Sequence, residues 1–147
     1  MKRKNSKFVQ GVYTPINPDR TTRSRKVFRS SLELKAFRFL DNNPKVKFWD
    51  SERIILPYQG MDGKLHRYFT DLVVHLEQND GTIKKLVIEI KPESQTKPPI
   101  VSIRKSQKTV MYEQYQYALN TAKWLAATAW CSKKGYQFVI LTEKHLN

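Results

Sequence analysis

The chain has 147 residues, 39% hydrophobic and 12% aromatic, which suits one domain with one core. Lys and Arg number 27 against 13 Asp and Glu, and the net charge of +14 points to a polyanionic partner. One cysteine, Cys131, rules out an intramolecular disulfide and fits a reducing compartment. No apolar run approaches the ~18 residues of a membrane span, and no apolar signal-peptide core opens the chain, so membrane and secreted classes are not expected.

Residues 1–29 read as a basic N-terminal arm, with Pro15 and Pro18 and little periodicity. Residues 1–30 carry +8 of the total charge. A domain is expected over 30–147. It opens with a helix from Ser30 or Ser31 to about Asp41, stopped by Asn42-Asn43-Pro44. Short strands are expected over Val46–Trp49 and Arg53–Tyr58, then a loop at Gln59–Gly63. One strand is predicted from His66 to Glu77, a hairpin turn at Asn79-Asp80-Gly81, and a return strand over 82–91 ended by Pro92. A basic loop over 92–106 leads into a long helix from Ser106 to about Lys133, capped by Gly135. Tyr136–Thr142 reads as a last buried strand. The order gives an α/β fold, a central mixed β-sheet flanked by helices. The long helix lets the last strand enter the sheet in parallel.

Chemistry concentrates at the hairpin. Val87, Glu89 and Lys91 share one strand face, and Leu86 to Ile90 is a nearly continuous apolar run of the kind found in strands buried on both faces. A carboxylate there needs a partner. A turn centred on Asp80 pairs residues whose numbers add to 160, which sets Asp71 opposite Glu89. A two-residue Asn79–Asp80 loop puts them on opposite faces. Directly opposed residues have Cβ atoms about 4.5–5.5 Å apart. Two such carboxylates repel unless one is protonated or a cation lies between them, and Mg²⁺ suits hard oxygen ligands. Lys91 then stands beside the cation. Glu33 shares the apolar face of the first helix with Ala36, Phe37 and Leu40, yet Ser30-Ser31-Leu32-Glu33 is also a capping box, and spacing alone leaves both roles open.

The stretches Arg29-Ser30-Ser31-Leu32-Glu33, Ile55-Leu56-Pro57-Tyr58, His66 to Asp71, Glu89-Ile90-Lys91-Pro92 and Trp124 to Glu143 together resemble the head completion nucleases of tailed bacteriophages. These are similar to the catalytic domain of TnsA-type endonucleases, within the PD-(D/E)xK, restriction-endonuclease-like superfamily. The resemblance implies a restriction-endonuclease-like core and a metal-dependent deoxyribonuclease, with Mg²⁺ as cofactor and Mn²⁺ as substitute. It carries the helical acid onto Glu33, the motif acids onto Asp71 and Glu89, and the lysine onto Lys91, and so favours Glu33 as a ligand over a cap. The proline that opens the superfamily motif is replaced here by Thr70. The phage family implies action on DNA or its ends during late head assembly, in the host cytoplasm or with the virion, and contact with head or portal proteins.

DNA contacts through the phosphate backbone are expected from Arg23, Arg25, Lys26 and Arg29 before the first helix, and from Lys97, Arg104, Lys105 and Lys108 after Lys91. His66 and Arg67 are expected at phosphate, and Gln114 beside the metal site. His75 lies about 13 Å along the strand from Asp71 and reads as a packing residue. The tyrosines of the long helix read as amphipathic core. Two competing functions remain: a non-catalytic basic DNA-binding or head-assembly protein retaining the fold, and an RNA-binding module. The second lacks an aromatic RNP-type strand or a Gly-x-x-Gly loop.

Overall fold

A computed structural model describes residues 10–146. The chain enters through an antiparallel pair, β1 (Gly11–Tyr13) and β2 (Lys26–Phe28). Helix α1 (Ser31–Asn42) follows, its Ser30 Oγ accepting from the Glu33 amide at 3.1 Å as a helix cap. Strand β3 (Val46–Ser51) leads to β4 (Ile55–Gln59) and β5 (Leu65–Phe69), which form a separate antiparallel ribbon. Then come β6 (Leu72–Glu77), β7 (Ile83–Ile90), the long helix α2 (Gln107–Lys134) and β8 (Gln137–Leu141).

The main sheet has the order β3-β6-β7-β8, antiparallel except for the parallel β7–β8 edge. That is the expected mixed sheet, and α2 is the crossover that allows the parallel pair. Gly135, at φ 80°, ends α2 in the left-handed conformation that glycine adopts without strain. The β6–β7 hairpin turns through three residues between Gln78 and Thr82, whose amide and carbonyl bond at 2.8 Å, with Gly81 at φ 86°. Its pairs, from Leu72–Ile88 to Glu77–Ile83, add to 160, the register that turns Asp71 toward Glu89.

One face of the sheet packs Leu72, Val74, Ile88 and Ile90 against Ala36, Phe37 and Leu40 of α1, with Trp49 and Phe28. A second cluster joins Leu56, Tyr58 and Tyr68 of the ribbon to Ala127 of α2. The result is α1 with β1–β2 on one side of the sheet and α2 with the ribbon on the other.

Three expectations need correction. The part of the expected arm that falls on residues 1–9 lies outside the described residues, but from Gly11 the segment is packed structure. Tyr13 lies 6.0 Å from the Phe37 ring and 6.3 Å from Trp49, centroid to centroid. Buried Asp41 accepts from Tyr13 Oη at 2.6 Å, Ile16 N at 2.7 Å and Asn17 N at 3.1 Å, clamping this segment to the end of α1. Burial works to raise the Asp41 pKa, and those donors outweigh it and hold it below the usual range.

Second, the strand predicted over 66–77 is two strands in two sheets. Thr70 turns away from β7, its amide and Oγ1 both bonding Ile54 O, at 3.1 and 2.7 Å. The ribbon ends at the Ile55–Phe69 pair, and the main sheet resumes at Leu72. Third, Tyr112 and Tyr115 are exposed rather than part of an amphipathic core.

Candidate active site

Asp71 sits at the crossing between the ribbon and the main sheet. Its backbone carbonyl accepts from Glu52 N at 3.0 Å, and Glu52 itself stands in the left-handed region at φ 53°. A non-glycine residue there is uncommon, and such strain gathers at functional sites. The residue is half-buried, but its carboxyl turns inward: Oδ2 accepts from Ile90 N at 2.7 Å. Glu89 lies in the buried end of β7, 6% exposed. Burial first, then the Glu89 charge, push the Asp71 pKa well above the carboxylate range. Glu33 adds a smaller push from farther off. The two acids that the sequence sets on opposing strands are thus brought together.

Lys91 follows on the same face as Glu89. Its Nζ lies 4.0 Å from Glu89 Oε2, and its side chain remains 26% exposed, open to a ligand entering from solvent. Its amide bonds Leu141 O at 3.0 Å, so β8 fixes the backbone that carries it.

Two residues not anticipated at this place hold Glu89. Tyr68 Oη donates to Oε1 at 2.8 Å, and Trp124 Nε1 donates to Oε2 at 3.2 Å. Burial and the neighbouring Glu89 carboxylate raise the Tyr68 pKa, which keeps its phenol a donor. Sequence alternation alone puts Tyr68 and Asp71 on opposite strand faces. The turn at Thr70 breaks that alternation and swings Tyr68 over the site. No residue pattern in the strand marks that turn.

Glu33 does not join the pair. Its Oε1 accepts from Arg29 N at 2.9 Å, one residue before the expected capping-box partner Ser30. Arg29 Nη1 in turn pairs with Glu52 Oε2 at 3.0 Å, on the surface. Among the described residues no three His, Cys, Asp or Glu side chains converge as a ready-made metal cage. Two carboxylates nevertheless fit a divalent cation: facing acids must share a proton or take a cation between their oxygens, and Mg²⁺ is commonly held by one or two carboxylates with waters and phosphate. Glu33→Gln separates the two roles. As a cap alone, the substitution costs at most about 0.5–2 kcal/mol in thermal unfolding. As a ligand recruited on cation binding, it removes turnover while the melting temperature stays within that limit.

The expected DNA contacts divide. Arg23, Arg25 and Arg29 are exposed before α1, and Arg67 is exposed on β5 with its guanidinium 5.2 Å from the Phe69 ring. Lys97, Arg104 and Lys108 are exposed after Lys91, although Lys97 also pairs with Glu93 at 3.4 Å. Lys26 is a correction. It is 1% exposed, pairs with Asp50 at 3.0 Å and donates to Thr22 O and Ser24 O at 3.0 and 2.9 Å. It cannot reach a phosphate without unmaking the β2–β3 junction. Lys105 is likewise taken, by Ile100 O at 2.9 Å and Glu113 at 2.8 Å, and staples the loop. His66 Nε2 lies 3.0 Å from both Asp62 oxygens at the ribbon tip. Gln114 is exposed on α2, ten residues and about 15 Å along the axis before Trp124.

His75 packs against Phe48, centroids 5.1 Å apart, as expected of a packing residue. Cys131 is buried, and burial pushes its thiol up to about 11, which leaves it inert.

An acid pair and a lysine at the end of a buried strand, in a mixed sheet crossed by a long helix, are the furniture of a nuclease. Residues 43–143 match the family model of the TnsA-like endonuclease N-terminal domain, and the chain belongs to that family. Asp71, Glu89 and Lys91 fall inside the matched region and Glu33 outside it. The chain is also 37% identical over 123 residues to the head completion nuclease of Enterobacteria phage T4, covering 81% of this chain and 79% of that protein.

Proposed function

We propose that this chain is a divalent-cation-dependent deoxyribonuclease with a restriction-endonuclease-like core, acting on DNA or DNA ends during late phage head assembly. The observation that carries this reading is the Asp71 carboxyl held on Ile90 N at 2.7 Å, next to buried Glu89, with the Lys91 ammonium 4.0 Å from Glu89. Asp71 and Glu89 would hold the cation, Mg²⁺ by the hardness of their oxygens, with Mn²⁺ able to replace it. When bound, such a cation supplies positive charge to a phosphoryl oxygen and makes a water more acidic. Lys91 Nζ donates to a non-bridging phosphate oxygen, where negative charge grows as the water oxygen attacks phosphorus. The water hydroxyl stays on phosphorus, and the leaving oxygen departs with the other proton. Arg23, Arg25, Arg29, Arg67, Arg104 and Lys108 would grip the backbone with little base preference, giving salt-sensitive affinity.

Exposed aliphatic residues beside those charges, Ile100 at 77% and Ile103 at 104%, support a protein contact as well, with a head or portal protein as partner. The reading places the protein in the host cytoplasm during assembly, or with the virion. No helix among the described residues is long and apolar enough to cross a membrane.

The locked position of Glu33 on Arg29 favours a second reading, a DNA-binding or head-assembly protein that keeps the fold without turnover. Plasmid and linear duplex DNA incubated with Mg²⁺, with Mn²⁺ and with EDTA separate the two. Cleavage that needs a divalent ion supports the nuclease. A folded protein that retains DNA and does not cleave it with any divalent ion selects the second reading.

A further inference from the structure

We infer that Tyr68 and Trp124 are positioning residues that aim Glu89 at the cation, one donor on each carboxylate oxygen. The inference rests on the nuclease reading and assigns a task to residues outside its acid pair. A carboxylate offers about four lone-pair directions on its two oxygens. Tyr68 Oη fills one on Oε1 at 2.8 Å, and Trp124 Nε1 fills one on Oε2 at 3.2 Å. One direction per oxygen stays open. The carboxylate plane is fixed before any ligand arrives, because its two donors come from separately anchored elements. Tyr68 is 3% exposed in the ribbon cluster with Leu56, Tyr58 and Ala127. Trp124 lies on the turn of α2 just before Ala127, which is fully buried in the same cluster.

The Glu89 side chain is only 8% exposed, so water cannot take over this work. Without the two donors, a buried charge beside Asp71 would turn toward Lys91, and that turn spoils a ligand. Groups that orient a ligand in this way are typically worth about 10–100-fold in metal affinity. A merely structural account is available for Tyr68, since a buried phenol needs an acceptor. That account does not explain why the donor from α2 converges on the same carboxylate.

The test is cation binding, measured apart from turnover. The Trp124 indole touches Glu89, so tryptophan fluorescence and Trp-sensitised Tb³⁺ luminescence both report on the site, and Mn²⁺ titration calorimetry gives the affinity directly. Tyr68→Phe keeps the ring and removes only the hydroxyl, so it is expected to fold. Its Mn²⁺ affinity should fall about 10–100-fold. Cleavage should recover toward wild type as the metal concentration is raised, a split between affinity and turnover. Trp124→Phe should show the same fall by calorimetry and lose the fluorescence response. Tyr58→Phe, with its ring 6.4 Å from Tyr68, is the packing control and should bind Mn²⁺ as wild type does. Unchanged Mn²⁺ affinity in folded Tyr68→Phe and Trp124→Phe overturns the inference and leaves the nuclease reading standing. A wild-type protein that binds no divalent cation overturns both together.

Discussion

Lys91→Ala should leave a folded protein that retains DNA but cleaves it about 10²–10³-fold more slowly, the usual loss when one donor to a developing oxyanion is removed. The backbone at this position is held through the Lys91 amide and Leu141 O at 3.0 Å, a bond that alanine keeps. The side chain is 26% exposed beside Glu89, so some stability is lost, within the roughly 0.5–3 kcal/mol usual for one substitution. Single-turnover cleavage at saturating Mg²⁺ reads the chemical step, and circular dichroism melting checks the fold. Lys91→Arg should recover only part of the rate, because a planar fork does not replace a compact ammonium point for point. Full-rate cleavage by folded Lys91→Ala would remove the lysine from the mechanism altogether.

Asp71→Asn should do two opposite things at once: abolish divalent-dependent cleavage and make the cation-free protein more stable. Its carboxyl is forced against Glu89 in a buried place, and its folded pKa lies well above the unfolded one. The folded state therefore holds a proton that the unfolded chain gives up over the interval between those two values. Stability from this group is complete below the ordinary aspartate range and is lost as pH rises through the raised value. The amide keeps an oxygen for Ile90 N, bonded at 2.7 Å in the wild type, and offers Glu89 a donor that never titrates. In EDTA, a gain of about 0.5–2 kcal/mol near neutral pH is expected, the size usual when a function-bearing site is relieved. It should shrink as the pH falls through the raised value toward the ordinary aspartate range. Urea unfolding at several pH values reads it, and equal stability of the two proteins across that range would show that Asp71 and Glu89 do not share a proton. Added Mg²⁺ should narrow the gap by stabilising the wild type alone.

Much of this site was legible because strand pairing obeys simple arithmetic. A three-residue turn ending in Gly81 sets the β6–β7 register, and that register brings the Asp71 crossing to Glu89. The α2 boundaries followed from Ser106 at one end and Gly135 at the other. What escaped were features decided by distant partners. Lys26 reads as one more cation of a basic segment, and only the Asp50 side chain from β3 makes it a buried tie. Tyr13 and Asp41 lie 28 positions apart, with no local signal that they meet. Tyr68 and Trp124 reach Glu89 from a bent strand and from a helix, and the Tyr68 encounter depends on a turn at Thr70 that no periodicity announces. Glu33 was readable as either cap or ligand, and its bond to Arg29 N places it with the caps in this conformation.

The ribbon of β4 and β5 leaves the main sheet at Thr70, yet it carries one of the two donors to Glu89. On the nuclease reading, cation affinity and ribbon position are thermodynamically linked, and the linkage is reciprocal. Whatever settles on the ribbon's outer surface, where Leu65 is 76% and Phe69 47% exposed, and shifts it against the sheet must retune the metal site by the same free energy that the cation spends in stiffening the ribbon. Amide exchange along β5 should accordingly slow when the cation binds. A DNA or protein partner gripping this strand would then act as an effector of the site without touching either carboxylate.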